Sequence, residues 1–159
     1  MAKRYAENTS VTVERSRAEI ERLLANHECT QFSTGIDHEN HRAQIQFRAH
    51  NRIIRFLIHL PNPSDRAYCR DRHGYTLSDS GIAKKVAQAD RQRWRALLLV
   101  IKAKLESVEN NISTFEEEFM AHIVMPNNKT VGALVLPSIA AAYESGEMPQ
   151  DHLLPAGRG

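Results

Sequence analysis

Cationic and aromatic side chains alternate in the segment at residues 61–80. The cations are Arg66, Arg70 and Arg72, with His73 beside them, and the aromatic residues are Tyr68 and Tyr75. Guanidinium groups hold backbone phosphates while aromatic rings stack on bases, so this combination suits single-stranded nucleic acid. Clustered Pro, Asn, Ser, Asp and Gly residues predict a loop. The segment is therefore interpreted as a nucleic-acid contact surface or as a solvated loop.

The long helix predicted after this loop, from about residue 82 to about residue 108, carries a basic stripe. Its N-cap is expected at Ser78, Asp79 or Ser80. At about 100° per residue, the residues that lie on one side of the helix are Lys84, Gln88, Arg91, Arg95 and Lys102. Such a stripe either follows phosphates or is an ordinary solvated face. The phosphate contacts predicted from the loop and the helix together are Arg66, Arg70, Arg72, Lys84, Lys85, Arg91 and Arg95.

Two further cations of this helix, Arg93 and Lys104, lie near its apolar side, which contains Trp94 and Ile101. A cation that points towards a core must be paired or must extend to solvent. We expect the acidic run at residues 116–118 to supply the partners. A catalytic or ligand-binding cation is the alternative.

Charge is segregated along the chain. Residues 42–104 contain 14 Lys and Arg against 4 Asp and Glu, a net charge of +10. Residues 105–159 contain 2 against 8, a net charge of −6, and the whole chain has a net charge of +2. The basic centre indicates either a nucleic-acid footprint or a segment that the acidic end neutralises within the fold.

Several side chains are of metal-binding or catalytic types. The candidate metal ligands are Cys29, His38, His41, Cys69 and His73. No Cys-x-x-Cys pair accompanies them, so neither a metal nor a cofactor is predicted. Gly-x-Ser-x-Gly, a Gly-rich phosphate loop and His-Glu-x-x-His are absent from the sequence, and no catalytic residue is predicted. The carboxylates that a metal-dependent nuclease could use are Glu39, Asp65, Asp71 and Asp79, whose spacing favours turns and caps.

Hydrophobic periodicity predicts an α+β fold with a three-stranded antiparallel sheet, an N-terminal helix, a long central helix and two shorter C-terminal helices. Ser16 is expected to cap the first helix through a Ser-x-x-Glu box, after a strand or extended arm at residues 11–13. A turn is predicted at residues 50–51, and Pro61 ends the last strand. Strands are predicted at residues 32–36, 42–49 and 53–60. The exposed sheet face is expected to carry Gln44, Gln46, Arg48 and Arg55.

The C-terminal helices are predicted from caps and breakers. Ser113 is expected to cap a short acidic helix that ends near residue 122. The last helix begins after Thr130, is interrupted or bent at Pro137 and ends near Gly146. We expect one domain at residues 1–150 and a loose tail at residues 151–159. No apolar run is long enough for a membrane span or a signal peptide, so a cytoplasmic location, reduced thiols and no membrane partner are expected.

The chain resembles a family of uncharacterised proteins from bacteriophages, prophages and other mobile elements. The resemblance rests on TSV at residues 9–11, SRAEIE at 16–21, RQRWRAL at 91–97, VIKAKLE at 100–106, FEEEF at 115–119 and AHI at 121–123. It implies a mobile-element context in a bacterial host and no catalytic residues.

The predicted order of helix, three strands and helix is also similar to that of the double-stranded-RNA-binding domain. Residues 35–38 resemble the Gly-Pro-x-His loop of that domain, although Ile36 stands in place of the proline. Residues 83–87 resemble the start of its Lys-Lys helix. This resemblance implies recognition of duplex RNA by shape.

Three hypotheses of function follow. The leading one is a non-enzymatic accessory protein of a phage or mobile element that binds nucleic acid through the basic centre. The alternative is a phage-encoded inhibitor that binds a host defence protein, with the acidic segment at residues 106–151 imitating nucleic-acid charge. The third is a metal-dependent hydrolase or nuclease.

Overall fold

The computed structural model describes residues 5–148, and the tail predicted at residues 151–159 lies outside them. The α+β fold is confirmed, with one three-stranded antiparallel sheet in the order β1-β2-β3. The strands are β1 (Thr30–Asp37), β2 (Arg42–Ala49) and β3 (Arg52–His59). Each strand pairs with the next along the chain, so the sheet is a meander.

Five α-helices and one 3₁₀ turn complete the described residues. They are α1 (Val13–Asn26), α2 (Arg66–Cys69), α3 (Asp79–Glu109), α4 (Phe115–Phe119), the 3₁₀ turn (Met120–His122) and α5 (Val131–Ser145). The N-terminal helix, the long central helix and the shorter C-terminal helices are thus where they were predicted. Within residues 5–148 no helix combines the length and the apolar character needed to cross a bilayer.

The core lies on one face of the sheet. Alternate residues of β2, among them Ala43, Ile45 and Phe47, are buried, as their period of two predicts. Trp94 and Ile101 of α3 are buried in the same cluster, so α3 lies across the sheet. Burying large aromatic and branched side chains removes the most apolar area per residue from water. The helix that carries the basic stripe is therefore anchored by its opposite side.

The turn between β2 and β3 is confirmed at His50 and Asn51. Both residues have positive φ angles, 47° and 58°. A two-residue hairpin turn of the primed type needs positive φ at both central positions, and its twist matches that of the strands. The hairpin forms although no glycine follows Asn51.

Two predicted caps are wrong by a few residues. Thr12 caps α1 by accepting a hydrogen bond from Arg15 N at 3.2 Å, and Ser16 is buried in the second turn of the helix. Val13 packs against the core, and the helix begins there, within the segment predicted as a strand or extended arm. Thr114, not Ser113, caps α4, with Glu117 completing a capping box.

The caps of α5 agree with the prediction. Thr130 accepts a hydrogen bond from Ala133 N at 3.2 Å, and Gly146 adopts φ 73°, the left-handed conformation that glycine favours at a helix end. Pro137 lies inside the helix without ending it.

Candidate nucleic-acid interface

The segment predicted as a loop is more ordered than its composition indicates. It contains the single turn of α2, followed by a tight reversal in which Arg70 and Thr76 form an isolated antiparallel bridge. Asp71 Oδ1 accepts hydrogen bonds from the backbone nitrogens of His73, at 2.8 Å, and Tyr75, at 2.9 Å. An aspartate side chain that binds backbone groups a few residues ahead is a standard turn former. The turn therefore fixes the backbone positions from which its arginine and tyrosine side chains extend.

Five of the predicted phosphate contacts are exposed in this region. We call Arg66, Arg70, Arg72, Lys84 and Lys85 the loop patch. Lys85 Nζ, on α3, donates a hydrogen bond to the carbonyl oxygen of Arg70 at 2.7 Å, which ties the helix to the loop. Arg66 and Arg70 line an open hollow of about 510 Å³. The fold thus brings Lys85 of α3 against the loop cations Arg66 and Arg70.

None of the loop-patch cations forms an ion pair within residues 5–148. Arg70 Nη1 donates to Gly74 O at 2.8 Å, and Arg72 Nε donates to His73 Nε2 at 2.9 Å. The carboxylate of Asp71 is engaged by the turn, as described above. The positive charge of the patch is therefore not neutralised by an ion pair in the described structure. A surface that binds an external anion needs such unpaired positive charge.

The two tyrosines of the segment differ in their surroundings. Tyr75 is 74% exposed at the turn. Tyr68 is half-buried, and its hydroxyl accepts a hydrogen bond from Arg93 Nη2 at 3.0 Å. The Tyr75 ring is consequently the aromatic surface that a base can reach, whereas Tyr68 belongs to the packing of α2 against α3.

Arg91 and Arg95 lie elsewhere and are used inside the protein. Arg95 Nη1 forms an ion pair with Glu19 Oε2 of α1 at 2.6 Å. Arg91 donates to Thr9 O at 3.4 Å and to the side chain of Gln88. Of the two interpretations of the stripe, a solvated face does not describe these turns of α3, because α1 and residues 5–9 pack along that side.

The ion pair also changes the acidity of its carboxylate. The hydrogen bond from Arg95 is the main cause that lowers the pKa of Glu19 below its ordinary value. Burial opposes it as the second-largest effect, and the charge of Arg95 and the hydrogen bond from Arg15 lower the pKa further. A lowered pKa shows that the ionised carboxylate is favoured in this position.

The two cations predicted near the apolar side have different partners. Lys104 Nζ lies 3.4 Å from Glu118 Oε2 and donates to Glu118 O at 2.6 Å, so its predicted pairing with the acidic run is confirmed. The same prediction is wrong for Arg93. Its guanidinium binds Tyr68 and lies near Asp90, whose pKa is raised by burial against the opposing charge of Arg93.

The outer sheet face is partly covered. Arg55 donates to the side chain of Gln46, to Asn128 O at 3.0 Å and to Asn128 Oδ1 at 2.6 Å. The segment before α5 therefore lies against this face and accepts the hydrogen bonds of the Arg55 guanidinium.

Gly35 and Ile36, predicted by resemblance to form a loop, lie within β1.

The candidate metal ligands do not form a site. Residues 5–148 contain no group of three or more His, Cys, Asp or Glu that could hold a metal ion. Burial raises the pKa of Cys29 to about 11, which disfavours the thiolate that a metal requires.

Side chains of the acidic end also have partners in the fold, because Glu109 binds His27 and Glu117 caps α4.

Comparison with known proteins gives no family assignment. No protein-family model, curated protein or solved structure matches this chain. The resemblance to phage proteins stays a prediction, and the geometry of the loop patch is what supports a function.

Proposed function

We propose that the protein is a non-enzymatic accessory protein of a mobile element that binds nucleic acid through the loop patch. The observation that carries the proposal is the exposure of all five loop-patch cations without an ion pair in the described residues. Each cation that meets a phosphate releases condensed counterions, which makes binding favourable and dependent on salt. Tyr75 adds a ring for base stacking, which favours single strands.

The test is fluorescence anisotropy of labelled single- and double-stranded DNA and RNA at low and moderate salt. If all five cations meet phosphates, a fourfold rise in salt lowers single-strand affinity by about 100-fold. Binding that is absent at low salt, or that does not change with salt, contradicts the proposal.

Charge reversal locates the surface. The triple variant Arg66→Glu/Arg72→Glu/Lys84→Glu leaves in place Arg70 and Lys85, which hold the loop. We expect its affinity at low salt to fall by more than about tenfold. The control, Arg22→Glu/Arg48→Glu/Arg52→Glu, changes three exposed cations of α1 and the hairpin. Both variants take the net charge from +2 to −4, since each reversal subtracts two. Equal losses in the two variants contradict a localised site.

A further inference from the structure

The apolar helix α5 turns its apolar stripe to solvent. None of its side chains is buried, and Glu144 is its first charged residue. Leu136 is 62% exposed, Ile139 39% and Tyr143 88%. Residues spaced at i, i+3 and i+7 share one face of a helix, and in a globular protein such a face is normally the buried one. The face of α5 formed by these three residues therefore lacks a partner within residues 5–148.

The helix is held by its first turn. Val131 N donates to Ile123 O at 2.9 Å, and Val124 pairs with Thr130 as an isolated bridge. At Gly132 a Cβ atom would lie 2.9 Å from Ala121 O, so only glycine permits this approach. Among the described elements α5 packs extensively on the 3₁₀ turn alone. Beyond this first turn Leu136 lines an open hollow together with Arg55 and Leu57 of β3, and the apolar stripe stays exposed within residues 5–148.

The charges that flank α5 indicate what covers it. Lys129 lies two residues before the helix, and Glu144 and Glu147 lie at its other end, all three exposed. If two copies of α5 pair antiparallel, with Leu136 of one copy level with Ile139 of the other, each Lys129 lies between the two glutamates of the other copy. A parallel pair would place like charges together. Antiparallel pairing also aligns the helix dipoles favourably.

We propose that the face formed by Leu136, Ile139 and Tyr143 binds the same face of a second copy in an antiparallel, two-fold symmetric dimer. A two-fold interface is self-complementary, and an uncharged helix face meets its own copy without burying an unpaired charge. Dimerisation through α5 does not involve the loop patch. Absence of the dimer would therefore not contradict the proposed nucleic-acid binding, and absence of nucleic-acid binding would not contradict the dimer.

The first experiment is sedimentation velocity of the full chain over a wide concentration range. We expect a species of twice the 18.0 kDa chain mass. Leu136→Asp should weaken dimerisation by more than about 100-fold, because both copies lose the contact. The control is Ile112→Asp, which changes a side chain that is 78% exposed outside α5. A monomer at every concentration, or equal effects of the two variants, overturns the proposal; circular dichroism checks that both variants stay folded.

Charge exchange tests the orientation. Lys129→Glu should weaken the dimer by about two- to tenfold, since each flanking pair is an exposed ion pair that occurs twice. Adding Glu144→Lys and Glu147→Lys to the same chain should restore it. Disulfide cross-linking between a Leu136→Cys chain and an Ile139→Cys chain reports the register. Failure of the charge exchange to restore the dimer, or cross-linking only between like positions, overturns the antiparallel arrangement.

Discussion

The start and the middle of the basic stripe on α3 carry similar cations in opposite surroundings. Lys84, at the start of the stripe, is exposed, as is its neighbour Lys85, which binds the loop. Arg91 and Arg95, about two and three turns further along, bind α1 and residues 5–9. Helical spacing places Lys84, Arg91 and Arg95 on one side of α3. Contacts of α1 and residues 5–9 with Arg91 and Arg95 distinguish these two from Lys84. A charged stripe is thus a binding surface only where no other element covers it.

The aromatic residues of the two regions differ in the same way. Trp94 is buried under α1, with Arg17 Cζ lying 5.6 Å from the centre of its ring. Tyr75 is exposed beside the loop patch. One ring stabilises the fold, and the other is available to a ligand.

Trp94→Ala should lower the free energy of unfolding by about 3–5 kcal/mol, because removing a fully buried aromatic side chain leaves a cavity in the core. Lys84→Ala, on the exposed part of the same helix, should change it by less than about 0.5 kcal/mol. Urea unfolding measures both. Similar values for the two variants would mean that the first turns of α3 are packed as tightly as its centre.

Tyr75→Ala should weaken single-strand binding by about 1–3 kcal/mol, the usual cost of losing one stacked base. Duplex binding should change little, since paired bases do not offer a face to the ring. Tyr75→Phe keeps the ring and should retain affinity. Anisotropy titrations with matched single- and double-stranded probes measure the difference. A loss of equal size for both probes would show that the ring does not stack on bases.

Much of the fold was predictable from the sequence because its signals are local. The period of two in β2 and the glycine after α5 need no information from distant residues. The shifted caps show the limit of such signals. Ser16 and Ser113 both begin a Ser-x-x-Glu pattern. The caps are instead Thr12, four residues before Ser16, and Thr114, directly after Ser113. For α1 the choice depends on Val13 reaching the core, which is a tertiary contact.

The candidate site was predictable as a set of residue types but not as a surface. The cations of the loop and the first turns of α3 were identified by their composition and spacing. The partners of Arg91, Arg93 and Arg95 were not, because they come from segments far away in the sequence. Thr9 and Glu19 offer no signal of such a contact. The exposed face of α5 was also missed, since apolar spacing normally marks a buried helix.

The ion pair between Arg95 and Glu19 tests the structural role assigned to the second half of the stripe. Arg95→Ala and Glu19→Ala should show a coupling of about 0.2–1 kcal/mol in a double-mutant cycle of unfolding, the range for partly exposed pairs. Neither change should alter the salt dependence of nucleic-acid binding. In contrast, Arg72→Ala should make the logarithmic salt slope for single strands shallower by about 0.7. If Arg95→Ala changes the salt slope as Arg72→Ala does, the two regions share one function.

The smallest expected effect is the acid sensitivity of the same pair. Because the pKa of Glu19 is lower in the folded protein than its ordinary value of 4.5, the unfolded chain takes up a proton first as the pH falls. The stabilisation by this carboxylate is therefore complete above that value and is lost below it, as the pH approaches the folded pKa. Glu19→Gln should reduce the loss of unfolding free energy in this window, whereas Arg72→Ala in the loop patch should leave it unchanged. Urea unfolding at a series of pH values provides the measurement, and an unaltered acid dependence in Glu19→Gln would show that Arg95 does not hold the carboxylate in its ionised form.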